Sequence, residues 1–277
     1  RNLFRIQDLK HRTTKDKFLL RRCLRCSIII VTKNGYQVDG SMYYPQQYSA
    51  YKKIKQIQDN YKILPFNIVK GRMGWTKMFK LQEKHKILDI GCGNGRHMAY
   101  LKRKYNVDVV GIELNQKAVA VGKNAGLNIF HGSIDDYSTN NEYDVIYLSH
   151  VLEHLSKPYD ALKNINKLLK KGGRIVIALP NTKSFERYLF KQYWGGWDTP
   201  RHIYMFSPKS IKYLLQETGF NNIEIYYEVY SNFKNSTLHL LNKRKYNNIF
   251  LNKILNKINS LLSKILPLFR FSGAIQI

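Results

Sequence analysis

The sequence predicts an α/β protein in which a mostly parallel, doubly wound sheet is covered by helices on both faces. Three observations support this prediction. Short apolar runs alternate with helical patterns through the middle of the chain, a glycine-rich loop joins one such strand to the next helix, and 44% of the residues are hydrophobic and 23% charged, as in a globular protein. Alternating strands and helices favour parallel pairing, and the ligands of such sheets bind at the carboxyl ends of the strands.

Strands and helices alternate from the first apolar run onward. Residues 86–90 are typical of a buried strand, and a helix follows over 96–105. A second strand over 107–112 precedes a second helix over 115–124, for which Asn115 is a suitable N-cap. Each strand is thus followed by a helix, as crossover connections in a parallel sheet require.

The alternation continues in the following segment. Short strands are predicted over 128–131 and 144–148, and a helix over 158–170 has its apolar residues on one face. The glycine pair 172–173 is expected to end that helix, because glycine often follows a last helical turn. Residues 174–179 then form the next predicted strand.

The C-terminal part contains two further helices. One is predicted to begin after Ser207 and to end at Gly219, with a strand following over 223–229. The other, over 248–266, has apolar residues at helical spacing and lysines on its opposite side, and Pro267 stops it. Such a helix packs against its own domain, closes a substrate pocket or lies on an anionic membrane surface, and packing is the simplest interpretation.

The charge indicates an anionic partner. Lys and Arg number 46 against 19 Asp and Glu, which gives a net charge of +27, and residues 230–277 carry no acidic side chain. Nucleic acid, a membrane surface or a phosphorylated substrate would suit this charge, although a general bias toward lysine explains it more simply. Three cysteines exclude a disulfide framework and predict a cytoplasmic protein. No apolar run of about 18 residues occurs, so no transmembrane helix is predicted.

The loop after the first strand carries the strongest chemical signal. Residues 87–95 read I-L-D-I-G-C-G-N-G, and the three glycines allow the backbone to approach a ligand closely. Glu113 closes the next strand, where a carboxylate accepts hydrogen bonds from both hydroxyls of an adenosine ribose. Arg96 stands where a dinucleotide site has its third glycine, which counts against a nicotinamide cofactor.

These residues carry a resemblance to a known family. The string D-I-G-C-G-N-G over 89–95 resembles motif I of the class I S-adenosylmethionine-dependent methyltransferases. Residues 143–155 resemble the family's fourth-strand segment, and 170–174 (K-K-G-G-R) resemble its L-K-P-G-G turn, with Lys171 in place of proline. The resemblance covers residues 40–277. It implies a Rossmann-like sheet of seven strands, the last one antiparallel, with S-adenosyl-L-methionine as the cofactor.

The resemblance also implies roles for single residues. Asp89, Gly91 and Gly93 would line the methionine moiety, and Glu113 would hold the ribose. Cys92 lies in the same loop and is expected there as a small packing residue rather than a nucleophile. Other cofactor residues would contact adenine or face the sulfonium; these are Leu114, Ser133, Ile134 and Ser149, with Asp135 as an alternative acceptor for the adenine amino group.

A more specific resemblance covers residues 194–207, W-G-G-W-D-T-P-R-H-I-Y-M-F-S. It is similar to the type 23 methyltransferase-domain subgroup, which is related to ubiquinone-biosynthesis O-methyltransferases. Members often carry an N-terminal zinc ribbon with two C-x-x-C pairs, and Cys23 and Cys26 resemble its second pair. The implied organisation has a partial zinc-ribbon-like segment over 1–40 and a methyltransferase domain over 41–277, with a helical insertion over 230–270.

Zinc is expected only in a longer chain. Two thiolates do not complete the four ligands of a structural zinc site, so no bound metal is predicted for the residues present. The missing pair would lie upstream of Arg1, and the chain is expected to be truncated there and at Ile277, inside the last strand.

Three histidines are candidates for the base that a hydroxyl acceptor needs. His202 is the first choice, because it lies in a loop after the fifth predicted strand, and His150 and His154 are the others. The alternative is that His202 only shapes its loop through backbone hydrogen bonds. The string H-x-x-E-H over 150–154 matches a zinc-protease pattern, but His150 ends a strand, so this interpretation is rejected. The resemblance to ubiquinone O-methyltransferases also implies a divalent metal at an acidic-x-x-Glu-His stretch here, but His150 replaces the first acid. Glu153 and His154 are instead expected to cap a helix and position the loop.

The sequence therefore predicts a methyltransferase acting on a hydroxyl of a small molecule, glycan or lipid-linked intermediate. An RNA-directed methyltransferase is the alternative favoured by the charge, although Leu148-Ser149-His150-Val151 lacks the D/N-P-P pattern of base-amine enzymes. A non-catalytic cofactor-binding fragment is the third hypothesis. Trp194 and Trp197 either stack on an acceptor or cover the edge of the sheet. Peripheral membrane contact through 248–266 completes the predicted partners.

Overall fold

A computed structural model describes residues 1–44, 81–140, 142–242 and 249–277. The described residues form two compact units. The first contains residues 1–44, 152–158 and 178–277, and the second contains 81–151 and 159–177, apart from the gaps. Of the predicted domain over 41–277, residues 45–80, 141 and 243–248 lie outside the described residues.

Strands make up two sheets. The described strands are β1 Asn2–Gln7, β2 Lys17–Arg22, β3 Ile29–Lys33, β4 Tyr36–Gln37, β5 Lys86–Ile90, β6 Asp108–Glu113, β7 Asn128–His131, β8 Tyr143–Ser149, β9 Leu169–Pro180, β10 Tyr204–Met205, β11 Tyr226–Tyr227 and β12 Ala274–Gln276. The larger sheet has seven strands in the order β11-β12-β9-β8-β5-β6-β7. Strand β5 pairs in parallel with β6 and β8, β6 pairs in parallel with β7, and β12 is antiparallel to both neighbours. The predicted fold class is confirmed, including the antiparallel last strand.

Helices connect these strands and end near the predicted residues. The described α-helices are α1 Arg96–Tyr105, α2 Gln116–Asn124, α3 Pro158–Lys167, α4 Phe185–Phe190, α5 Pro208–Glu217, α6 Phe233–Leu240 and α7 Ile249–Ile265. Asn115 caps α2 by accepting the Ala118 N–H at 3.0 Å. Ser207 caps α5 in a capping box with Ser210. Among the described residues, no helix is long and apolar enough to cross a membrane.

The second unit is held by a core between β5–β8 and the helices beside them. Ile87, Met98, Leu101 and Val145 are fully buried there. Ile87 belongs to the strand over 86–90 that the sequence predicted to be buried. The carboxyl ends of β5, β6 and β8 consequently lie side by side, because the three strands pair in parallel register.

The N-terminal residues form a separate antiparallel sheet in the first unit. Its order is β1-β2-β3-β10, and β4 pairs with the end of β3 on the side away from β2. Its core combines side chains of β2 and β3, among them Phe18, Leu20 and Val31, with Trp194 and Trp197. Cys23 and Cys26 lie in the turn between β2 and β3, where the Ser27 N–H donates to the Cys23 carbonyl at 3.1 Å. The zinc-ribbon assignment and the division at residue 40 stay predictions.

Two predicted boundaries are wrong. Helix α3 ends at Lys167, and the glycine pair 172–173 lies inside β9 instead of ending the helix. The Tyr143 N–H donates to the Leu168 carbonyl at 2.8 Å, so the chain has already joined the sheet there. The strand predicted over 223–229 is reduced to Tyr226–Tyr227, because it is an edge strand that pairs only with β12.

Candidate active site

The glycine loop between β5 and α1 adopts backbone angles that favour glycine. Gly91, Gly93 and Gly95 have φ angles of +70°, +59° and +77°. A Cβ atom on Gly91 would lie 2.4 Å from Cγ2 of Val151, closer than real Cβ contacts. The glycines are therefore required by the path of this loop, as the sequence pattern predicted.

The Glu113 side chain, at the end of β6, forms hydrogen bonds with the loop. Its Oε2 accepts the Gly93 N–H at 2.8 Å, and its Oε1 accepts the Asn115 N–H at 2.8 Å. A carboxylate oxygen has two lone pairs, so each oxygen can accept one further hydrogen bond. The half-buried carboxylate can thus accept hydrogen bonds from two hydroxyl groups of a ligand.

Three other N–H groups of the loop are bonded within the chain. Those of Gly91 and Cys92 both donate to the Ile112 carbonyl, at 2.8 and 3.1 Å, and that of Gly95 donates to the Cys92 carbonyl at 3.1 Å. A phosphate-binding loop presents such groups to its anion. This loop therefore fits a ligand with hydroxyls and no phosphate better than a dinucleotide.

Asp89 is buried at the end of β5 and has a partner that sequence reasoning missed. Its Oδ2 lies 3.2 Å from Nδ1 of His97, in the first turn of α1. The His97 ring in turn packs 4.7 Å, centroid to centroid, from Tyr147 of β8. The carboxylate is held by an imidazole eight residues later, and no spacing rule of the motif signals that contact.

The remaining predicted cofactor residues are distributed around the same loop ends. The Cys92 side chain packs toward Gly111, where an added Cβ would lie 2.5 Å from its Sγ, and burial raises the pKa of this thiol. Leu114 is 66% exposed directly after β6. Ser133 donates to Asp136 from both its N–H and its hydroxyl, and Ile134 is buried.

Ser149 and His150 end β8. The Ser149 Oγ is buried and has no hydrogen-bond partner among the residues that the structure describes. A buried hydroxyl without a partner is costly, and a ligand at the strand end would supply one. His150 has a φ of +55°, which turns the chain sharply after the strand.

Two predicted catalytic histidines and a buried glutamate meet in the first unit. Ligand-type atoms of Glu153, His154 and His202 all lie within 4.8 Å of one another. His150 belongs to the other unit and is not part of this group. These three side chains could share a proton or hold a divalent cation. The predicted absence of a metal stays a prediction.

A hydrogen bond to a carbonyl group sets the tautomer of His202. Its Nδ1 lies 3.0 Å from the Gly196 carbonyl, which only accepts, so Nδ1 carries the hydrogen and Nε2 keeps a lone pair. His154 Nδ1 lies 2.9 Å from the Arg201 carbonyl and 3.0 Å from the Tyr44 hydroxyl. Burial, together with His154, lowers the pKa of His202 to about 3 against the opposing effect of Asp198. His202 is therefore a neutral imidazole at physiological pH.

A buried ion cluster holds the loop that carries His202. Arg201 Nη2 lies 2.8 Å from Asp8 Oδ1 and 2.7 Å from Asp198 Oδ1, and Arg201 Nη1 also donates to the Tyr43 carbonyl. Lys10 contacts the other oxygen of Asp198. Asp8 and Lys10 come from the N-terminal segment, far from Arg201 in sequence, so sequence reasoning missed this support.

Trp194 and Trp197 are core residues. They are 1% and 3% exposed, their rings lie 5.0 Å apart, and Trp197 Nε1 donates to the Lys191 carbonyl at 2.7 Å. They pack with the N-terminal strands, so the covering role is supported and stacking on an exposed acceptor is not.

Comparison with known proteins places this site in a family. Residues 72–225, more than half of the chain, match the type 23 family model described as "Methyltransferase domain". Phosphoethanolamine N-methyltransferase 1 of Arabidopsis thaliana is 28% identical over 170 residues, which cover 55% of this chain and 33% of that protein. The mitochondrial ubiquinone biosynthesis O-methyltransferase of Schizosaccharomyces pombe is 31% identical over 102 residues, 34% of this chain and 37% of that protein. The chain thus spans about a third of the length of these curated relatives.

Solved structures share the fold at low identity. A SAM-dependent methyltransferase from Archaeoglobus fulgidus has a TM-score of 0.52 and 20% identity, over 80% of this chain and 97% of that one. The cyclase SpnF has a TM-score of 0.51 and 15% identity, over 83% of each chain. These similarities establish the architecture and leave the reaction to be argued from the site.

Proposed function

The chain belongs to the type 23 methyltransferase-domain family, whose cofactor is S-adenosyl-L-methionine, and from this premise we propose that it methylates a hydroxyl group. The acceptor class is a small molecule, a glycan or a lipid-linked intermediate. The observation that supports the cofactor site is the Glu113 clamp: a carboxylate that accepts the N–H groups of Gly93 and Asn115 and keeps lone pairs for two ligand hydroxyls.

The residues around the clamp fit the cofactor by chemical type. Glu113 would accept the two ribose hydroxyls, and the exposed Leu114 side chain offers apolar surface to adenine. The buried Ser149 hydroxyl at the end of β8 offers a hydrogen bond to a polar group of the ligand. When bound, the cofactor supplies an electrophilic methyl group on its sulfonium, and the protein mainly orients the reactants.

The cluster in the first unit contains a base of the kind that a hydroxyl acceptor needs. An amine attacks with its own lone pair, whereas a hydroxyl is a better nucleophile when a base takes its proton. His202 is neutral and presents the lone pair of Nε2, with carboxylate oxygens of Glu153 and Asp198 each 3.9 Å from that atom. Both carboxylates oppose the lowering of the His202 pKa, although burial outweighs them. His150, which directly follows β8, stays a further candidate for this base.

The names of relatives do not decide the acceptor. One relative is named as an N-methyltransferase and another as an O-methyltransferase, and SpnF of similar fold is named as a cyclase. The acceptor therefore has to be identified by experiment. Tritiated methyl cofactor would be incubated with the protein and an extract of source cells, and the extract would be separated into small-molecule, lipid and RNA fractions.

The position of the label tests the proposal. We expect tritium in the small-molecule or lipid fraction, released as methyl iodide by hydriodic acid under conditions that cleave methyl ethers and leave N-methyl groups intact. Glu113→Ala abolishes labelling, and His202→Gln lowers the rate of transfer while leaving cofactor affinity unchanged. Label in RNA, or label that resists hydriodic acid, would overturn the hydroxyl acceptor.

A further inference from the structure

Among the residues that the structure describes, helix α7 packs with one of its sides and exposes apolar side chains on another. Leu255 is buried at 6% exposure, while Leu261 is 58% exposed and Ile254 and Ile265 are 38% exposed each. On the polar side, Asn259 accepts the Lys234 N–H of α6 at 3.2 Å. The expectation that this helix packs against its own domain is thus met by one face, and an apolar face remains at the surface.

The exposed side chains form two parallel rows. Phe250, Ile254, Leu261 and Ile265 follow one another at spacings of four, seven and four residues, which places them along one helical stripe. The basic row consists of Lys253, Lys257 and Lys264, each three residues after a member of the apolar row. Residues three apart are neighbours on a helix surface, so lysines border the apolar stripe along its length.

The apolar surface continues past the end of the helix. Leu268 and Phe269 are 79% and 65% exposed, and Arg270 lies beside them. We call this set the α7 surface: the apolar row, the basic row, and residues 268–270. Residues 249–277 carry four Lys and Arg and no Asp or Glu, so the surface is positively charged throughout.

We propose that the α7 surface binds an anionic lipid bilayer, with the helix lying in the plane of the headgroups. An apolar stripe bordered by lysines suits that position, because the apolar side chains enter the acyl boundary while the ammonium groups stay among the lipid phosphates. RNA would engage the lysines and leave the apolar row in water. A symmetric contact with a second copy would set the same lysine rows against each other, which is repulsive. The proposal does not depend on the reaction catalysed.

Vesicle flotation tests the proposal with the whole chain. The probes are phosphatidylcholine vesicles with and without about 30% phosphatidylserine, at about 0.1 M and about 0.5 M salt. We expect flotation only with the anionic vesicles, reduced at high salt. Lys253→Gln/Lys257→Gln/Lys264→Gln and Leu261→Ser/Leu268→Ser should each lower the partition coefficient roughly tenfold or more. The matched control Lys102→Gln/Lys123→Gln/Lys212→Gln removes the same charge from exposed sites elsewhere and should retain more binding.

A reporter variant avoids reliance on destabilising changes. Phe269→Trp keeps an aromatic side chain at an exposed site, and its fluorescence should shift to the blue and be quenched by brominated lipid acyl chains. No flotation of the folded wild-type protein overturns the proposal. So does equal loss of binding in the control, or RNA binding that depends on the three lysines and not on the leucines. Concentration-dependent dimers that Leu261→Ser/Leu268→Ser abolishes would assign the surface to a second copy instead.

Discussion

Asp8→Asn tests the buried ion cluster most sharply. Every polar partner of Asp8 is a donor: Oδ1 accepts the His11 N–H and Arg201 Nη2, and Oδ2 accepts the Thr13 N–H, the Thr13 hydroxyl and Arg201 Nη1. Asparagine keeps one acceptor oxygen and turns an NH₂ group toward the other donors. The substitution therefore removes a charge from Arg201 and leaves buried donors unsatisfied, with almost no change of volume.

The expected magnitude follows from the pKa of Asp8. Burial alone would raise that pKa, but hydrogen bonds from Arg201 and Thr13 bring it from 3.8 down to about 2. That difference corresponds to roughly 2.4 kcal/mol of stability for the ionised carboxylate. Unsatisfied donors add to the loss, while Asp198 still pairs with Arg201 and limits it. We expect the free energy of unfolding to fall by about 3 kcal/mol, or the melting temperature by roughly 6–12 °C.

Urea unfolding followed by tryptophan fluorescence measures this change, because Trp194 and Trp197 are buried in the same unit as Asp8. Asp16→Asn is the matched control: it removes the same charge from the same N-terminal region, at an exposed pair with Lys33, and should not change the midpoint measurably. The carboxylate's contribution is fully present above about pH 4 and is about half lost at pH 3, as the pH falls toward the folded pKa. Wild type and Asp8→Asn should therefore converge at low pH. Identical midpoints at pH 7, or a difference that does not change with pH, would refute the reasoning.

Three further predictions concern single sites. The His202 ring should show no titration between pH 5 and 8 in NMR spectra, because its pKa in the folded protein is about 3. Its contribution to stability should decline as the pH falls below about 6.5, where the unfolded chain takes up the proton. A titration midpoint near 6.5 in the folded protein would contradict this. Gly40→Ala should destabilise the protein by about 1–3 kcal/mol in thermal melts, because its Cβ would lie 2.9 Å from the Arg201 carbonyl oxygen, a backbone atom with little freedom to move; an unchanged melting temperature would argue against that packing. When the thiols are titrated with a chromogenic disulfide, Cys23 should react first, because the Cys26 N–H lowers the pKa of the Cys23 thiol. Cys92 should react last, because burial raises the pKa of the Cys92 thiol. Fast modification of Cys92 in the folded protein would be inconsistent with the structure.

Local sequence patterns were sufficient to predict the bounds of helices and strands around the proposed cofactor site. The predicted helix over 96–105 and strand over 128–131 have the observed bounds, because each is bracketed by strong signals such as a glycine loop or a polar turn. Glu113 could be found for the same reason, since its distance from the glycine loop reflects one strand–helix–strand unit.

Sequence reasoning was less successful where pairing overrides local preference. The glycine pair 172–173 normally ends a helix, but the backbone pairing of β8 at Leu168 and the ion pair from Lys170 to Asp144, at 2.8 Å, hold this segment in the sheet. Glycine tolerates the φ of +81° that the strand requires at position 172. Such interactions depend on strands distant in sequence and leave no local pattern.

The buried ion cluster around Arg201, which holds the loop of His202, could not be predicted from the sequence for the same reason. Asp8 meets Arg201 across 193 positions, and the charge of the N-terminal segment gave no indication that one of its few acids is a buried partner. For Trp194 and Trp197 the sequence left two positions open, because tryptophan suits both a ligand-facing surface and a core. Their packing with the side chains of β1–β3 distinguishes the two.

Calorimetric titration with S-adenosylhomocysteine tests the central claim, that the Glu113 clamp forms the cofactor site. The wild-type protein would be compared with Glu113→Gln, which turns an amide NH₂ toward a backbone N–H donor, and with Glu142→Gln, which removes the same charge at an exposed site. We predict binding by the wild type and the control, and at least tenfold weaker binding by Glu113→Gln, about 1.4 kcal/mol. No binding by the folded wild-type protein, or equal affinity of the Glu113 variant, would contradict the account.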